Sequence, residues 1–131
     1  MSIFVSLTDV PKLTEILKGA DICFISTTTD FTAEKNVEVS EGLAIAEACK
    51  RACVPNVILS AHIHCEKTIG VPAKHYDAKA EVYQYIRNTL QMPVTMLNIP
   101  PLYEMFFDFL RPKINAEGNY ELGELASADY S

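Results

Sequence analysis

Three short apolar runs place the strongest constraint on how this chain can fold. They occupy residues 20–26, 56–60 and 94–99. Each run is shorter than an ordinary helix, and its apolar residues follow one another without the regular alternation that marks a half-exposed strand. The runs therefore predict strands that are buried on both faces, as in a parallel sheet.

Segments with helical periodicity separate these runs. Apolar or small side chains recur at three- and four-residue intervals within residues 36–52 and again within residues 75–90. An earlier helix is predicted to begin near Thr8, with Pro11 in its first turn, and to end at Gly19. Because strands and helices alternate, we expect the α/β class, a parallel sheet with right-handed crossovers and helices on both faces.

The remaining segments are predicted from their polarity and turn residues. Residues 61–74 contain two histidines, a glycine and a proline, which indicates a loop. Residues 102–110 form a strongly apolar stretch that predicts a short helix. Turn residues at 117–119 precede a short strand predicted at 120–122.

The topology indicates where a ligand would bind. In open parallel sheets, ligands bind beyond the carboxyl ends of the strands. Residues 27–29, 60–62 and 100–105 follow the three predicted strands. We therefore expect these three segments to line one crevice.

Composition excludes several classes of protein. The 131 residues are 49% hydrophobic and carry 11 Lys+Arg against 17 Asp+Glu, a formal net charge of −6. This acidic balance argues against direct binding of nucleic acid, which needs a basic face. No apolar run approaches the roughly 18 residues of a membrane span, and the first residues do not resemble a secretion signal. We therefore expect a globular cytoplasmic protein whose four cysteines are reduced.

Lys79 is an unusual residue for its position. It shares one face of the predicted helix 75–90 with His75, Val82, Ile86 and Leu90. A lysine on an apolar stripe is seldom buried unless its charge is paired. We therefore expect its ammonium group to contact a specific partner near the start of the helix, the alternative being a side chain that extends to solvent at the edge of the stripe.

Two other groups of residues are candidates for a metal site or a catalytic pair. His62 and His64 alternate along an extended segment and could share an ion with Cys65 or Glu66. The sequence lacks the second Cys/His pair of a structural zinc site, so no metal is predicted. Cys65 with His64 or His75 could pair a nucleophile with a base, but nothing local activates the thiol, so no catalytic residue is predicted. The acidic stretches 34–41 and 117–124 are interpreted as solvated surface.

The sequence contains no glycine-rich phosphate loop. A dinucleotide-binding domain usually opens with a strand and a G-x-G-x-x-G turn, whose backbone N–H groups approach the pyrophosphate. The five glycines of this chain are isolated from one another and lie at positions 19, 42, 70, 118 and 123.

Longer motifs in the sequence nevertheless resemble those of a known protein family. The string H-Y-D-A-K-A-E-V-Y-Q-Y-I-R at 75–87, together with the runs 21–27 and 56–60 and the segment 93–97, resembles the NmrA-like family of atypical short-chain dehydrogenases/reductases. The similarity extends over about residues 7–128. It implies a Rossmann fold, binding of NADP(H), and a role as a redox sensor and regulator of other proteins.

The resemblance also implies which residues contact the cofactor. Lys79 matches the family lysine at the nicotinamide ribose. The segment Thr27, Thr28 and Thr29 matches the one that passes over the cofactor. The nicotinamide end would be contacted by Leu102, Tyr103, Glu104 and Met105.

Several positions depart from the pattern of the wider superfamily. The acid/base tyrosine that precedes the lysine by four residues is replaced by His75, and Tyr76 lies about 100° around the helix. Leu43 stands where family members can carry a cofactor-facing lysine, and Asn98 and Met105 replace an expected arginine and asparagine. These departures predict weakened cofactor binding and argue against a strong oxidoreductase.

The resemblance does not extend to a whole family fold. Nothing in the sequence matches the glycine-rich N-terminal βαβ part or the C-terminal part on the substrate side. We therefore expect residues 1–131 to form a partial NAD(P)-binding Rossmann domain that is truncated at both ends, with exposed apolar surface.

Three functions remain open from the sequence. The first is an NADP(H)-binding redox sensor that acts on regulatory protein partners, which include a second copy of the chain. Such a sensor would work in the cytoplasm or, as a regulator of transcription, in the nucleus. The second is an NAD(P)H-dependent oxidoreductase that acts on quinones. The third is an interaction module that binds no cofactor.

Overall fold

A computed structural model describes residues 5–27, 35–100, 102–107 and 111–121 and divides the chain into two compact units, 1–99 and 100–131. The helices and strands of the first unit, in chain order, are α1 (Val10–Leu17), β1 (Ile22–Ile25), α2 (Lys35–Arg51), β2 (Asn56–Ser60), α3 (Cys65–Ile69), α4 (Lys74–Gln84) and β3 (Val94–Leu97). A π-helical turn, Tyr85–Thr89, continues α4.

The three predicted strands form one parallel sheet in the order β1-β2-β3. Cys23 pairs with Val57, and Leu59 pairs with Met96. The order and direction confirm the α/β class. They arise because a helix follows each of the first two strands and returns the chain to the same end of the sheet.

One face of this sheet packs against helices. Ile25, Val57 and Leu59 are almost completely buried, in one cluster with Ala46 of α2 and Val82 of α4. Side chains alternate between the two faces along a strand, so this face collects every second residue of β1 and β2. The core of the first unit therefore lies between the sheet and the helices α2 and α4.

The opposite face of the sheet is open. Ile22, Phe24 and Leu97 are 57%, 55% and 41% exposed, whereas neighbours on the packed face are buried. The expectation that the strands are buried on both faces, beneath two layers of helices, is therefore wrong for the residues that the structure describes. The expectation of exposed apolar surface is confirmed here.

Two helical segments differ from the sequence prediction in detail. Helix α1 begins after Asp9, whose carboxylate accepts a hydrogen bond from the backbone N–H of Lys12 at 3.1 Å, so Asp9 rather than Thr8 caps it. Helix α3 lies inside the predicted loop 61–74 and ends at Gly70, which has a left-handed φ of 73°.

The second unit contains a 3₁₀ turn and a small hairpin. The predicted helix 102–110 is a 3₁₀ turn at Tyr103–Phe107, and residues 108–110 lie outside the described ranges. Strands β4 (Lys113–Ile114) and β5 (Tyr120–Glu121) pair antiparallel across a turn that contains Gly118, which confirms the predicted turn and the start of the predicted strand.

No helix within these described ranges has the combination of length and apolar character needed to cross a bilayer.

A glycine sets the distance between α2 and α4. A Cβ atom added at Gly42 would lie 2.5 Å from Cγ2 and 3.0 Å from Cγ1 of Val82. Val82 is completely buried, so it has no space into which to withdraw. The two helices therefore approach closely only because residue 42 has no side chain.

We expect Gly42→Ala to destabilise the protein. Overpacking costs about 1–3 kcal/mol, and the better helix propensity of alanine returns at most about 1 kcal/mol. Urea unfolding followed by circular dichroism measures the difference. Ser40→Ala, on the exposed side of α2, should be nearly neutral, and a Gly42→Ala variant as stable as the parent would contradict the close approach.

Candidate functional site

The carboxyl ends of the three parallel strands converge on a polar site. Thr27 follows β1, His62 follows β2 and Asn98 follows β3. The side chain of Asn98 and the positive charge of Lys79 both act on the pKa of His62. Residues that follow all three strands therefore lie at this edge of the sheet.

Lys79 is the centre of a buried hydrogen-bond network. Its Nζ donates to the carbonyl oxygen of Thr27 at 2.9 Å, to Oγ1 of Thr27 at 2.9 Å and to Oε1 of Glu38 at 2.5 Å. Thr27 Oγ1 in turn donates to Glu38 Oε1 at 2.7 Å. An ammonium group has three N–H donors, so all of them are used within the protein. The expectation of a specific partner is confirmed, and the alternative of an extended, solvated lysine is wrong.

Glu38 is the residue that sequence reasoning missed. Its side chain is 6% exposed, so the interpretation of residues 34–41 as solvated surface is wrong at this position. A signal was present in the helical spacing, because Glu38 lies four and eight residues before Gly42 and Ala46, both buried. Glu38 therefore continues the buried stripe of α2 by one turn.

His75 lies beside the second oxygen of this carboxylate. His75 Nδ1 is 3.5 Å from Glu38 Oε2, which is buried and accepts no hydrogen bond from the described part of the chain. His75 and Lys79 are four residues apart on α4, so both face α2 and contact one carboxylate. Glu38 also lies in the first turn of α2, where the helix dipole favours a negative charge.

The neighbouring imidazole, that of His62, packs against Tyr76 and has a lowered pKa. The rings of His62 and Tyr76 meet edge to face with their centroids 4.4 Å apart. Burial, with a contribution from the positive charge of Lys79, lowers the pKa of His62, and the hydrogen bond with Asn98 only partly opposes it. His62 is therefore an uncharged imidazole at neutral pH.

A second polar cluster lies two residues earlier on α4, about 200° around the helix from Lys79. Asp77 is 2% exposed and accepts hydrogen bonds from the backbone N–H groups of Ala73 at 3.0 Å and Glu66 at 3.3 Å. It therefore caps the first turn of α3 from another helix. Burial by itself raises the pKa of Asp77, but these backbone hydrogen bonds and the nearby His64 outweigh it and hold the pKa below its usual value.

The cysteines show no disulfide in the structure, and the thiol considered as a nucleophile has a backbone partner. Cys23, Cys49, Cys53 and Cys65 are all free thiols, and of the four only Cys49 is fully buried. Cys65 is the first residue of α3 rather than a loop residue, and its Sγ donates to the carbonyl oxygen of Ile63 at 3.7 Å.

The predicted cofactor residues have different places in the structure. Thr27 and Lys79 are in direct contact, as described above. Thr28 and Thr29 lie outside the described residues. The remaining four belong to the second unit, where Leu102 precedes the 3₁₀ turn and Tyr103, Glu104 and Met105 lie within it.

We expect Lys79→Met to destabilise the protein by about 3–5 kcal/mol, because it leaves the buried Glu38 carboxylate without its cation. Chemical denaturation at pH 7 measures the loss. Lys74→Met removes an exposed lysine from the same helix and should change stability by less than about 0.5 kcal/mol.

The double variant Lys79→Met/Glu38→Gln provides the decisive comparison for this pair. It should be more stable than Lys79→Met alone, since the uncompensated charge is gone. Equal stability of the two variants would mean that Lys79 and Glu38 are not coupled.

We expect Asp77→Asn to flatten the acid dependence of stability. A carboxyl whose folded pKa is lowered contributes stability that is present above the unfolded pKa, near 3.8, and is lost as the pH falls through the folded value. The variant should also lose about 1–3 kcal/mol at pH 7, because one capping acceptor is removed. Urea midpoints between pH 2.5 and 7 in the presence of EDTA measure both effects. The exposed Asp21→Asn should follow the parent curve, and an Asp77→Asn curve parallel to the parent would refute this account.

The fold resembles that of two solved structures, one of them a reductase. It matches the structure of Citrobacter sp. triphenylmethane reductase complexed with NADP(H), with a TM-score of 0.58, 18% sequence identity, and coverage of 79% of this chain and 34% of that one. It also matches the protein gox2253, with a TM-score of 0.55, 18% identity, and coverage of 72% of this chain and 36% of that one. The chain thus spans about a third of the length of these solved structures, and at this identity the likeness shows the fold alone.

The sequence itself matches one family over nearly its whole length. The profile of the NmrA-like family aligns with residues 3–125, which include the three parallel strands, the buried Lys79 network and the second unit up to β5. The chain belongs to the NmrA-like family.

Proposed function

We propose that this protein is an NADP(H)-binding redox sensor that regulates other proteins and does not itself act as a strong oxidoreductase. The observation that carries the proposal is the contact of Lys79 with Thr27 at the carboxyl end of β1. In open α/β sheets this edge is where ligands bind. A solved structure of similar fold is complexed with NADP(H), which gives the ligand class.

The chemistry of the site supports sensing rather than turnover. Reduction of a carbonyl or a quinone by NADPH needs a proton donor beside the hydride acceptor. His75 occupies the position of the superfamily tyrosine, and its Nδ1 faces Glu38. The nearby phenol, Tyr76, packs against His62. These contacts direct His75 toward a carboxylate and Tyr76 toward an aromatic ring.

The same network predicts that NADP(H) binding is weak. A ribose hydroxyl that takes a hydrogen bond from Lys79 must displace Thr27 or Glu38, because the three donors are already used. The buried Glu38 carboxylate cancels the charge of the ammonium group toward the cofactor phosphates. The net charge of −6 and the isolated glycines add no compensating attraction.

We expect the purified chain to bind NADPH with a dissociation constant above about 100 μM, corresponding to less than roughly 5.5 kcal/mol. Glu38→Gln should tighten binding about three- to tenfold, since it leaves the positive charge of Lys79 uncompensated. Glu41→Gln, one turn away on α2, removes the same formal charge without touching Lys79 and should have a smaller effect. Isothermal titration calorimetry measures all three proteins.

Three outcomes would overturn parts of this proposal. Micromolar binding by the parent chain would refute the weak site. Equal changes in Glu38→Gln and Glu41→Gln would mean that Lys79 does not contact the cofactor. If the chain oxidises NADPH with a panel of quinones and Lys79→Met loses this activity, the protein is an oxidoreductase instead. If no variant binds NADPH, the protein is an interaction module that binds no cofactor.

The regulatory part of the proposal rests on family membership. It comprises regulatory protein partners, a second copy of the chain among them, and a cytoplasmic or nuclear location.

A further inference from the structure

A histidine and two carboxylates meet between α3 and α4, away from the Lys79 network. His64 lies immediately before α3, Glu66 is its second residue, and Asp77 is in the first turn of α4. One ligand atom from each of the three residues lies within 4.8 Å of the other two. His64 and Asp77 are buried, and Glu66 is exposed, so the group is open to solvent on one side only.

The histidine presents a buried nitrogen atom that makes no hydrogen bond within the described part of the chain. The side chain of His64 is 5% exposed, and its Nδ1 makes no hydrogen bond with the described residues, although Asp77 Oδ1 lies only 2.9 Å away. A buried polar atom without a hydrogen bond is costly. The nitrogen and the oxygen compensate this cost either as an ion pair, when the imidazole is protonated, or by binding one ion between them.

The separation of the two atoms suits a metal ion. Zinc binds imidazole nitrogen at about 2.0–2.1 Å and carboxylate oxygen at about 2.0–2.2 Å. Two such ligands on one ion are about 3.3–3.5 Å apart at the tetrahedral angle and about 2.9–3.0 Å apart at a right angle. The 2.9 Å between His64 Nδ1 and Asp77 Oδ1 is that of two ligands at a right angle and a few tenths of an ångström shorter than the tetrahedral separation, so a small side-chain movement would admit a tetrahedral ion.

The surrounding groups orient both ligands. When an ion takes the lone pair of Nδ1, the imidazole proton lies on Nε2, and Glu81 Oε1, 3.9 Å from Nε2, is the carboxylate that faces it. The backbone N–H groups of Glu66 and Ala73 hold the Asp77 carboxylate in place. Held ligands of this kind are typical of metal sites.

We propose that His64, Asp77 and Glu66 bind a divalent transition-metal ion, zinc in particular. Two carboxylates neutralise the ion, the imidazole supplies a nitrogen ligand, and water completes the coordination on the exposed side at Glu66. The ion joins the start of α3 to the first turn of α4. The proposal is independent of NADP(H), because the cluster and Lys79 lie on different sides of α4.

Titration of the untagged, metal-free chain with zinc chloride tests the site. We expect one Zn²⁺ per chain with a micromolar or tighter dissociation constant. His64→Gln should weaken binding at least about 100-fold and Glu66→Gln about tenfold. Glu66 is exposed, so Glu66→Gln decides the question if His64→Gln does not fold by circular dichroism. Glu117→Gln removes an exposed carboxylate from the second unit and should bind like the parent.

Cobalt substitution distinguishes this ligand set from a thiolate site. Cys65 adjoins His64, so Cys65→Ser is the matched control and should leave the zinc affinity unchanged. Co²⁺ should give weak visible bands without a thiolate charge-transfer band. Three results would each overturn the proposal. They are the absence of binding at 100 μM zinc, equal zinc affinities of the parent, His64→Gln and Glu66→Gln, and loss of zinc binding in Cys65→Ser. The first result would leave His64 and Asp77 as a simple buried pair.

Discussion

The buried ion pair between Lys79 and Glu38 is the interaction on which packing at the carboxyl edge of the parallel sheet depends. Desolvation of two charges is compensated only when geometry and additional hydrogen bonds are good, and here Thr27 contributes a hydroxyl and a carbonyl oxygen to the same network. The network joins the end of β1 to α2 and α4. A ligand that takes a hydrogen bond from Lys79 must take it from this junction. Binding through Lys79 and packing at this junction are therefore coupled, because a hydrogen bond that Lys79 gives to a ligand is lost from the junction.

Helix α4 separates two polar environments with different chemistry. On one side, Lys79 and His75 face a single carboxylate, Glu38. On another side, Asp77 caps α3 and approaches His64. In the first environment every donor of the ammonium group is used, although Glu38 Oε2 accepts no hydrogen bond from the described residues. The second contains a buried histidine nitrogen that makes no hydrogen bond with the described residues and has a carboxylate oxygen 2.9 Å away. We therefore interpret the first as a junction in which a ligand must compete for the donors of Lys79, and the second as a place that accepts an additional ion.

Much of the fold could be predicted because its signals are local. Apolar runs specified the strands, and their alternation with helical segments specified the parallel order. The unusual position of Lys79 predicted a partner for its ammonium group. The partner could not be identified, because Glu38 lies 41 residues earlier and its local sequence does not distinguish it from the neighbouring acidic residues. Helix α3 was missed because its first turn is capped by Asp77, from another helix, rather than by an adjacent residue. The contacts of His64 likewise depend on how α3 and α4 pack, and this packing cannot be predicted from the sequence pattern of either helix.

The open face of the sheet has a thermodynamic consequence. Strands β1 and β3 form their backbone hydrogen bonds while Ile22, Phe24 and Leu97 stay in contact with water. The heat-capacity change of unfolding follows the apolar area that unfolding newly exposes, about 0.45 cal/mol/K per Å². A sheet with one hydrated apolar face contributes less of this area than a sheet covered on both sides. The stability of the first unit therefore varies less steeply with temperature than that of a fully layered α/β domain of equal length.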